Sequence, residues 1–318
     1  MEKQHLAKQI KEQISSVIVG KDEVITCIIT AMIAGGHVLL EDVPGTGKTV
    51  MAKTLAGSMD GEFSRIQFTP DLLPSDVTGI HYYNQKAGEF VLRKGPVFGN
   101  IVLADEINRA TPRTQSSLLE CMEEHQITID GETSRLQEPF LVIATQNPIE
   151  TAGTFPLPEA QLDRFLMKLS MGLPSVEEEV LIMERFANRV ETQEKATQLS
   201  AVCSNEDLVA MQKEAEQVYV HKSLMEYLAQ LVQETRKHAS IRLGVSPRGT
   251  LAMLRAAKAY AYVQGREYVV PEDIAKLAVS VFAHRLVIST GFGSEAQKKK
   301  LVEEIVAKVN VPTEDWSR

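Results

Sequence analysis

The sequence predicts an α/β domain built on a parallel sheet with two hairpin insertions, followed by an all-α domain. Three observations predict it. Short apolar runs alternate with helical segments up to about residue 174, a glycine-rich loop follows the first run, and beyond 174 helical periodicity takes over. With 318 residues, 44% hydrophobic and 24% charged, the chain is long enough for two buried cores and has the composition of a globular protein.

Residues 1–18 fit an amphipathic helix and lack the apolar core of a signal peptide. Val19-Gly20-Lys21 makes a turn, and Asp22 is placed to cap a helix over 23–34. Val38-Leu39-Leu40 reads as a buried strand, 48–59 as a helix and 63–68 as a second strand, the βαβ pattern of a parallel sheet. Ile101-Val102-Leu103-Ala104 and Leu141-Val142-Ile143-Ala144 are further short strands ending in polar residues. Those residues emerge at the carboxyl edge of the sheet, where open α/β sheets bind ligands. Between strands, 75–95 holds two strand-like pieces separated by 84–87, a hairpin interrupting a helix. In 125–136, Gln126-Ile127-Thr128-Ile129 alternates and Asp130-Gly131 signals a tight turn. Either hairpin reads equally well as solvated surface padding. The domain boundary falls at 174, giving domains 1–174 and 175–318. In the second, 176–190, 205–219, 222–238, 247–264, 271–282 and 293–309 read as helices, several with Ser, Asn or Pro starts.

The chemistry begins at Glu41-Asp42-Val43-Pro44-Gly45-Thr46-Gly47-Lys48-Thr49, an apolar strand running into a glycine-rich loop and then a helix. Small residues at 45 and 47 let successive N–H groups curl around phosphate oxygens, helped by the helix N-terminus behind them. Pro44, Gly45, Thr46, Gly47, Lys48, Thr49 and Val50 are therefore the expected binders of a nucleoside triphosphate, with Lys48 at the β- and γ-phosphates and Thr49 ligating Mg²⁺. The strict Walker A pattern would have glycine where Asp42 stands, at the opening of the loop where the backbone demand is weakest. The 101–104 strand ends in Asp105-Glu106, a Walker B pair: Asp105 to hold hydrated Mg²⁺, Glu106 to orient and polarise the attacking water. The 141–144 strand leads to Asn147, which can lie between the two Walker strands and bond the water or the γ-phosphate; beside Pro148 it also reads as a turn residue. Arg164 precedes the last strand, and Arg248 starts a helix in the second domain. A guanidinium suits phosphate, being always charged and forked, although each arginine alone also fits a surface ion pair.

In the order Walker A, Asp105-Glu106, Asn147, Arg164, then Arg248 in a helical tail, the chain resembles AAA+ ATPases, and its wording is similar to the MoxR family of the helix-2-insert clade. The segments that carry the resemblance are 41–49, Ala104-Asp105-Glu106-Ile107-Asn108-Arg109-Ala110, Ala144-Thr145-Gln146-Asn147-Pro148-Ile149-Glu150 and 157–165, and it covers nearly the whole chain. It implies an AAA+ P-loop core with an all-α lid. It makes 75–95 the helix-2 insert and 125–136 the pre-sensor-1 hairpin, both facing a ring's pore or client. By the same resemblance Asn147 is sensor 1, Arg164 an arginine finger acting in trans and Arg248 sensor 2, with Arg109 also placed to act between subunits. The implied activity is Mg²⁺-dependent ATP hydrolysis in a hexameric ring that remodels or matures a protein client. Partners with von Willebrand factor A (VWA) domains, and metal-cofactor insertion or complex assembly, come with the family.

A net charge of −8 disfavours nucleic acid as client, and so a nucleic-acid motor. Glu106 disfavours a nucleotide-gated module that binds without hydrolysis. Cys27, Cys121 and Cys203 lack metal-ligand spacing, and His81 and His125 read as loop residues without metal-like companions. Apolar runs are far too short to span a bilayer, so a cytoplasmic protein without membrane insertion is expected.

Overall fold

The computed structural model describes residues 1–43, 45–86, 88–148, 153–187, 200–289, 294–313 and 316. In chain order, α1 (Gln4–Val17) and α2 (Asp22–Ile33) precede β1 (Val38–Glu41), α3 (Lys48–Gly57) and β2 (Phe63–Gln67). Next come α4 (Pro74–Thr78), the hairpin β3 (Gly79–Asn84) and β4 (Glu89–Lys94), then β5 (Ile101–Asp105) and α5 (Pro112–Glu124). A second hairpin, β6 (Gln126–Ile129) and β7 (Glu132–Arg135), leads to β8 (Leu141–Gln146), α6 (Glu159–Leu162), β9 (Met167–Leu169) and α7 (Val176–Ala187). The rest comprises α8 (Asn205–Glu216), α9 (Lys222–Lys237), β10 (Ile241–Leu243), α10 (Pro247–Val263), α11 (Pro271–Phe282), β11 (Val287–Ile288) and α12 (Glu295–Lys308).

The near-continuous apolar runs form a parallel sheet in the order β2-β5-β8-β1-β9, covered on both faces as such runs require. Successive side chains point to opposite faces, so each strand serves two cores. Val38, Leu40, Ile101, Leu103, Leu141, Ile143 and Met167 pack on the α1–α3 side. Leu39, Val102, Ala104, Val142 and Ala144 face α5 through Leu118, Leu119 and Met122. The first core does not stop at residue 174; it runs on through α2 into α8, α9, α10 and α11, which is why eight of the twelve residues of α2 are buried. Among the described helices none is long and apolar enough to cross a membrane.

Both expected hairpins form. At the base of the first, Gly79 has φ 98° and a Cβ there would lie 2.3 Å from the Arg93 carbonyl oxygen, while one on Gly95 would lie 2.3 Å from that of Val77. Only glycines let the chain leave α4 and return so tightly. The second hairpin turns on Asp130 (φ 51°) and Gly131 (φ 86°), the paired positive φ of a two-residue turn matched to strand twist. His81 Nδ1 meets Asp130 Oδ2 at 3.0 Å and so ties the two hairpins together.

Two expectations need correction. Asp22 does not cap α2 with its side chain but is the first helical residue, and its carboxylate accepts the Ser15 hydroxyl at 2.9 Å. The second domain is also not free of strands: β10 and β11 pair antiparallel. Pieces of two or three residues carry no periodicity that a sequence could show. Of the expected helix over 176–190, residues 188–190 lie outside the described set.

His37 sits under β1 in a fully buried position. Its Nδ1 accepts from the Val142 N–H at 3.0 Å and its Nε2 lies 3.0 Å from the Met122 carbonyl oxygen, which fixes a neutral ring protonated on Nε2. Burial pushes its pKa down to about 4. The unfolded chain takes up a proton near pH 6.5, so this contribution to stability is full above that pH and is lost as pH falls toward 4. Buried His284, also held well below its ordinary pKa by burial, adds in the same direction. The thermal unfolding midpoint should therefore drop between pH 7 and pH 5, and His37→Gln, which keeps a donor and an acceptor, should lessen that dependence; an unchanged slope in the variant would exclude His37 as a source.

Candidate active site

The glycine-rich loop takes its shape from backbone conformation. Gly45 and Gly47 both have φ 86°, and a Cβ on either would meet no protein atom, so left-handed backbone alone requires glycine there. Gly47 opens α3, and Lys48 Nζ donates to the carbonyl oxygens of Asp42 and Val43, each at 3.2 Å. Pro44 lies outside the described residues. Asp42, where the strict pattern has glycine, has no positive φ and is buried. Its carboxylate accepts from Ser170 Oγ (2.8 Å), Met171 N–H (2.7 Å) and Gly172 N–H (3.1 Å), anchoring the loop to the segment after β9.

The register of the sheet brings the acids opposite this loop. Thr145 follows Ala144, the partner of Ala104, so its hydroxyl stands beside the Walker B acids. Its Oγ1 donates to Asp105 Oδ1 at 2.6 Å and accepts the Glu106 N–H at 2.9 Å. That second bond supports Glu106 at φ 55°, a left-handed conformation that costs a non-glycine residue roughly 1–2 kcal/mol. Strand β2 supplies two further partners. Arg65 donates to Asp105 Oδ2 at 2.6 Å, and Gln67 Nε2 donates to Glu106 Oε2 at 2.7 Å. Arg109 reaches the same Oε2 at 3.1 Å, within its own chain. Both bonds fall on one oxygen, leaving Glu106 Oε1 as the atom that can accept from a water.

These groups line a cleft of about 430 Å³ with Asp42, Gly45, Thr46, Gly47, Lys48, Thr49 and Val50 on one wall. Arg65, Gln67, Asp105, Glu106, Thr145 and Asn147 complete it. Sequence reasoning missed Arg65, Gln67 and Thr145. The alternation Arg65-Ile66-Gln67, with only Ile66 buried, was the available signal that β2 sends two polar side chains to one place. Arg164 and Arg248 do not line this cleft; they border a separate cavity of about 150 Å³ together with Glu123, Asp163 and Arg255. His81, expected in a loop, lies within β3, and His125 is the residue that ends α5; among the described residues no cluster of three or more potential metal ligands occurs.

Residues 37–167 match the ATPase family associated with various cellular activities (AAA), and residues 233–307 match the AAA lid domain. Chaperone MoxR1 of Mycobacterium tuberculosis is 40% identical over 97% of this chain and 83% of its own length. The chain belongs to the MoxR family of AAA ATPases. Protein YeaC of Bacillus subtilis is 51% identical over 95% of this chain and 94% of its own. The crystal structure of a candidate ATPase from Cytophaga hutchinsonii matches with a TM-score of 0.89 at 40% identity, over 98% of this chain and 96% of that one.

Membership in the MoxR family implies nucleotide binding, and the cleft suits it. Thr49 and Asp105 offer a hydroxyl and a carboxylate, hard oxygen donors few enough to fit Mg²⁺, which keeps waters and phosphate oxygens as its other ligands. Burial pushes the thiols of Cys27 and Cys203 up to about 11 and that of Cys121 to about 12, which favours the protonated form at neutral pH. Thr145→Val removes both hydroxyl bonds at nearly constant volume. It should lower the hydrolysis rate about 10- to 100-fold while leaving ATP affinity within about twofold, read by steady-state kinetics beside fluorescent-nucleotide titration.

Proposed function

We propose that this cytoplasmic MoxR-family protein hydrolyses ATP with Mg²⁺ at the interfaces of a ring of six copies of itself, and uses the cycle to remodel, activate or mature a protein client. The observation that carries this reading is the division of the charged groups: Lys48, Asp105 and Glu106 share the nucleotide cleft with Arg65, which is committed to Asp105, while Arg164 and Arg248 stand together at another cavity. A ring joins one subunit's arginines to the next subunit's cleft. Phosphoryl transfer is governed by positioning and charge stabilisation, so arginines that arrive only on assembly make assembly the switch.

In this mechanism Lys48 and the loop N–H groups hold the β- and γ-phosphates, and Thr49 and Asp105 hold the metal. When bound, Mg²⁺ neutralises charge on those phosphates. Glu106, steadied at Oε2 by Gln67 and Arg109, accepts from the attacking water through Oε1. Asn147 orients that water or the γ-phosphate from the middle strand. Arg164 and Arg248 of the adjoining copy balance the charge that develops on the transferred group.

The client side of the reading rests on the first hairpin, where Tyr82, Tyr83 and Phe90 are 45%, 54% and 72% exposed. Aromatic side chains held out on a stiff two-stranded arm suit a polypeptide surface. A relative that bears the name chaperone supports the same assignment. A separate VWA-domain polypeptide is the partner the family resemblance offers, and metal-cofactor insertion or complex assembly the task.

Hydrolysis rate per subunit, measured against protein concentration beside light-scattering mass, should rise as rings form. Arg164→Ala should lower the plateau by on the order of 10³-fold. A rate independent of concentration that survives the substitution would sink the shared site. Glu106→Gln should bind ATP normally and turn over at most about a hundredth as fast; normal turnover would remove Glu106 from its role.

A further inference from the structure

Glu123 stands in the last turn of α5, and its carboxylate meets two guanidiniums at once. Oε2 accepts from Arg164 Nε at 3.2 Å, and Oε1 pairs with Arg248. Arg164 is further fixed by a bond from its Nη1 to the Leu119 carbonyl oxygen at 2.9 Å, one turn back on the same helix. The two arginines are also tied at their bases. Asp163, next to Arg164 in the chain, accepts from the Ser246 hydroxyl at 2.9 Å. Ser246 is the N-cap of α10, on whose first turn Arg248 lies. Asp163 is held in turn by buried Arg285, whose Nε donates at 2.6 Å.

Such a fixed arrangement of like charges needs a reason. Guanidiniums side by side repel, and Arg255, two turns along α10, borders the same cavity and adds to the positive field. One carboxylate placed between Arg164 and Arg248 offsets that repulsion and sets their spacing. It does so without consuming them: Arg164 keeps Nη2 free of these bonds, and Arg248 keeps Nη1 and Nε. What remains is two forks with donors to spare on a partly exposed, net positive surface, the arrangement that receives phosphate oxygens.

We propose that Glu123 is a positioning residue which holds Arg164 and Arg248 as one two-pronged group for the triphosphate bound by the adjoining subunit. The inference rests on the trans reading of those arginines. It adds that their geometry is set inside the donating subunit before the partner arrives, by a residue that touches no nucleotide. Glu123 therefore acts on a site to which its own subunit contributes only the arginines.

The test uses full-length protein at concentrations where the wild-type rate has reached its plateau. Glu123→Ala should lower kcat at least about tenfold and leave KM for ATP within about twofold, because binding resides in the unaltered cleft. Glu123→Gln keeps the shape and should fall between the two, and it serves in place of the alanine variant if that one unfolds early in circular dichroism. The decisive arm mixes Glu123→Ala with Glu106→Gln subunits under dilute conditions before rings form. Glu106→Gln subunits carry correctly held arginines, and Glu123→Ala subunits carry an intact Glu106. Mixed rings should therefore hydrolyse ATP at several times the summed rate of the two alone. An unchanged kcat, or a loss that mixing does not relieve, overturns the role given to Glu123. A wild-type rate independent of concentration overturns the trans reading beneath it.

Discussion

Everything at the nucleotide cleft depends on three parallel strands ending level. β8 lies between β1 and β5, and its register sets Thr145 beside the acids of β5 and Gln146 opposite Glu41 of β1. A slip of one residue would turn Thr145 to the other face, and with it both bonds that seat Asp105 and Glu106. Leu141, Val142, Ile143 and Ala144 are buried on both faces, and the register rests on how their unequal sizes pack against the two cores. His37 adds a polar pin through the Val142 N–H. Chemistry at the rim thus inherits its precision from hydrophobic order beneath it.

Much of this was legible from residues alone. Gly45, Gly47, Lys48, Asp105 and Asn147 could be placed because each ends or follows an apolar run, and such runs end together at the carboxyl edge of a parallel sheet. The hairpins were legible because Asp130-Gly131 and the alternation around it are local signals. Arg65 and Gln67 were hidden for the opposite reason: their meaning comes from β2 lying next to β5, a neighbour distant in sequence. Arg164 and Arg248 were visible as candidates, but their meeting at Glu123 depends on the first turn of α10 coming within side-chain reach of the last turn of α5, which no spacing encodes. The division at residue 174 was read from a change in periodicity, whereas the apolar core crosses it through α2.

The same logic explains what the strict motif would misjudge. Glycine is required at 45 and 47, where the backbone is left-handed, and is dispensable at 42, where it is not. A side chain could enter there, and the one present is engaged on every side: its N–H donates to the Gln146 carbonyl at 3.2 Å, its carbonyl accepts from Lys48, and its carboxylate takes three donors from residues 170–172.

Those three attachments make Asp42 a mechanical joint. Residues 170–172 are the strap from which the C-terminal helices hang, and the strap is buckled to the same residue that holds the Walker lysine. The C-terminal helices thus meet the rest of the chain both through the apolar core they share with α2 and through this single polar residue at the phosphate loop. Of the two, only the polar joint touches the residues that would hold a nucleotide.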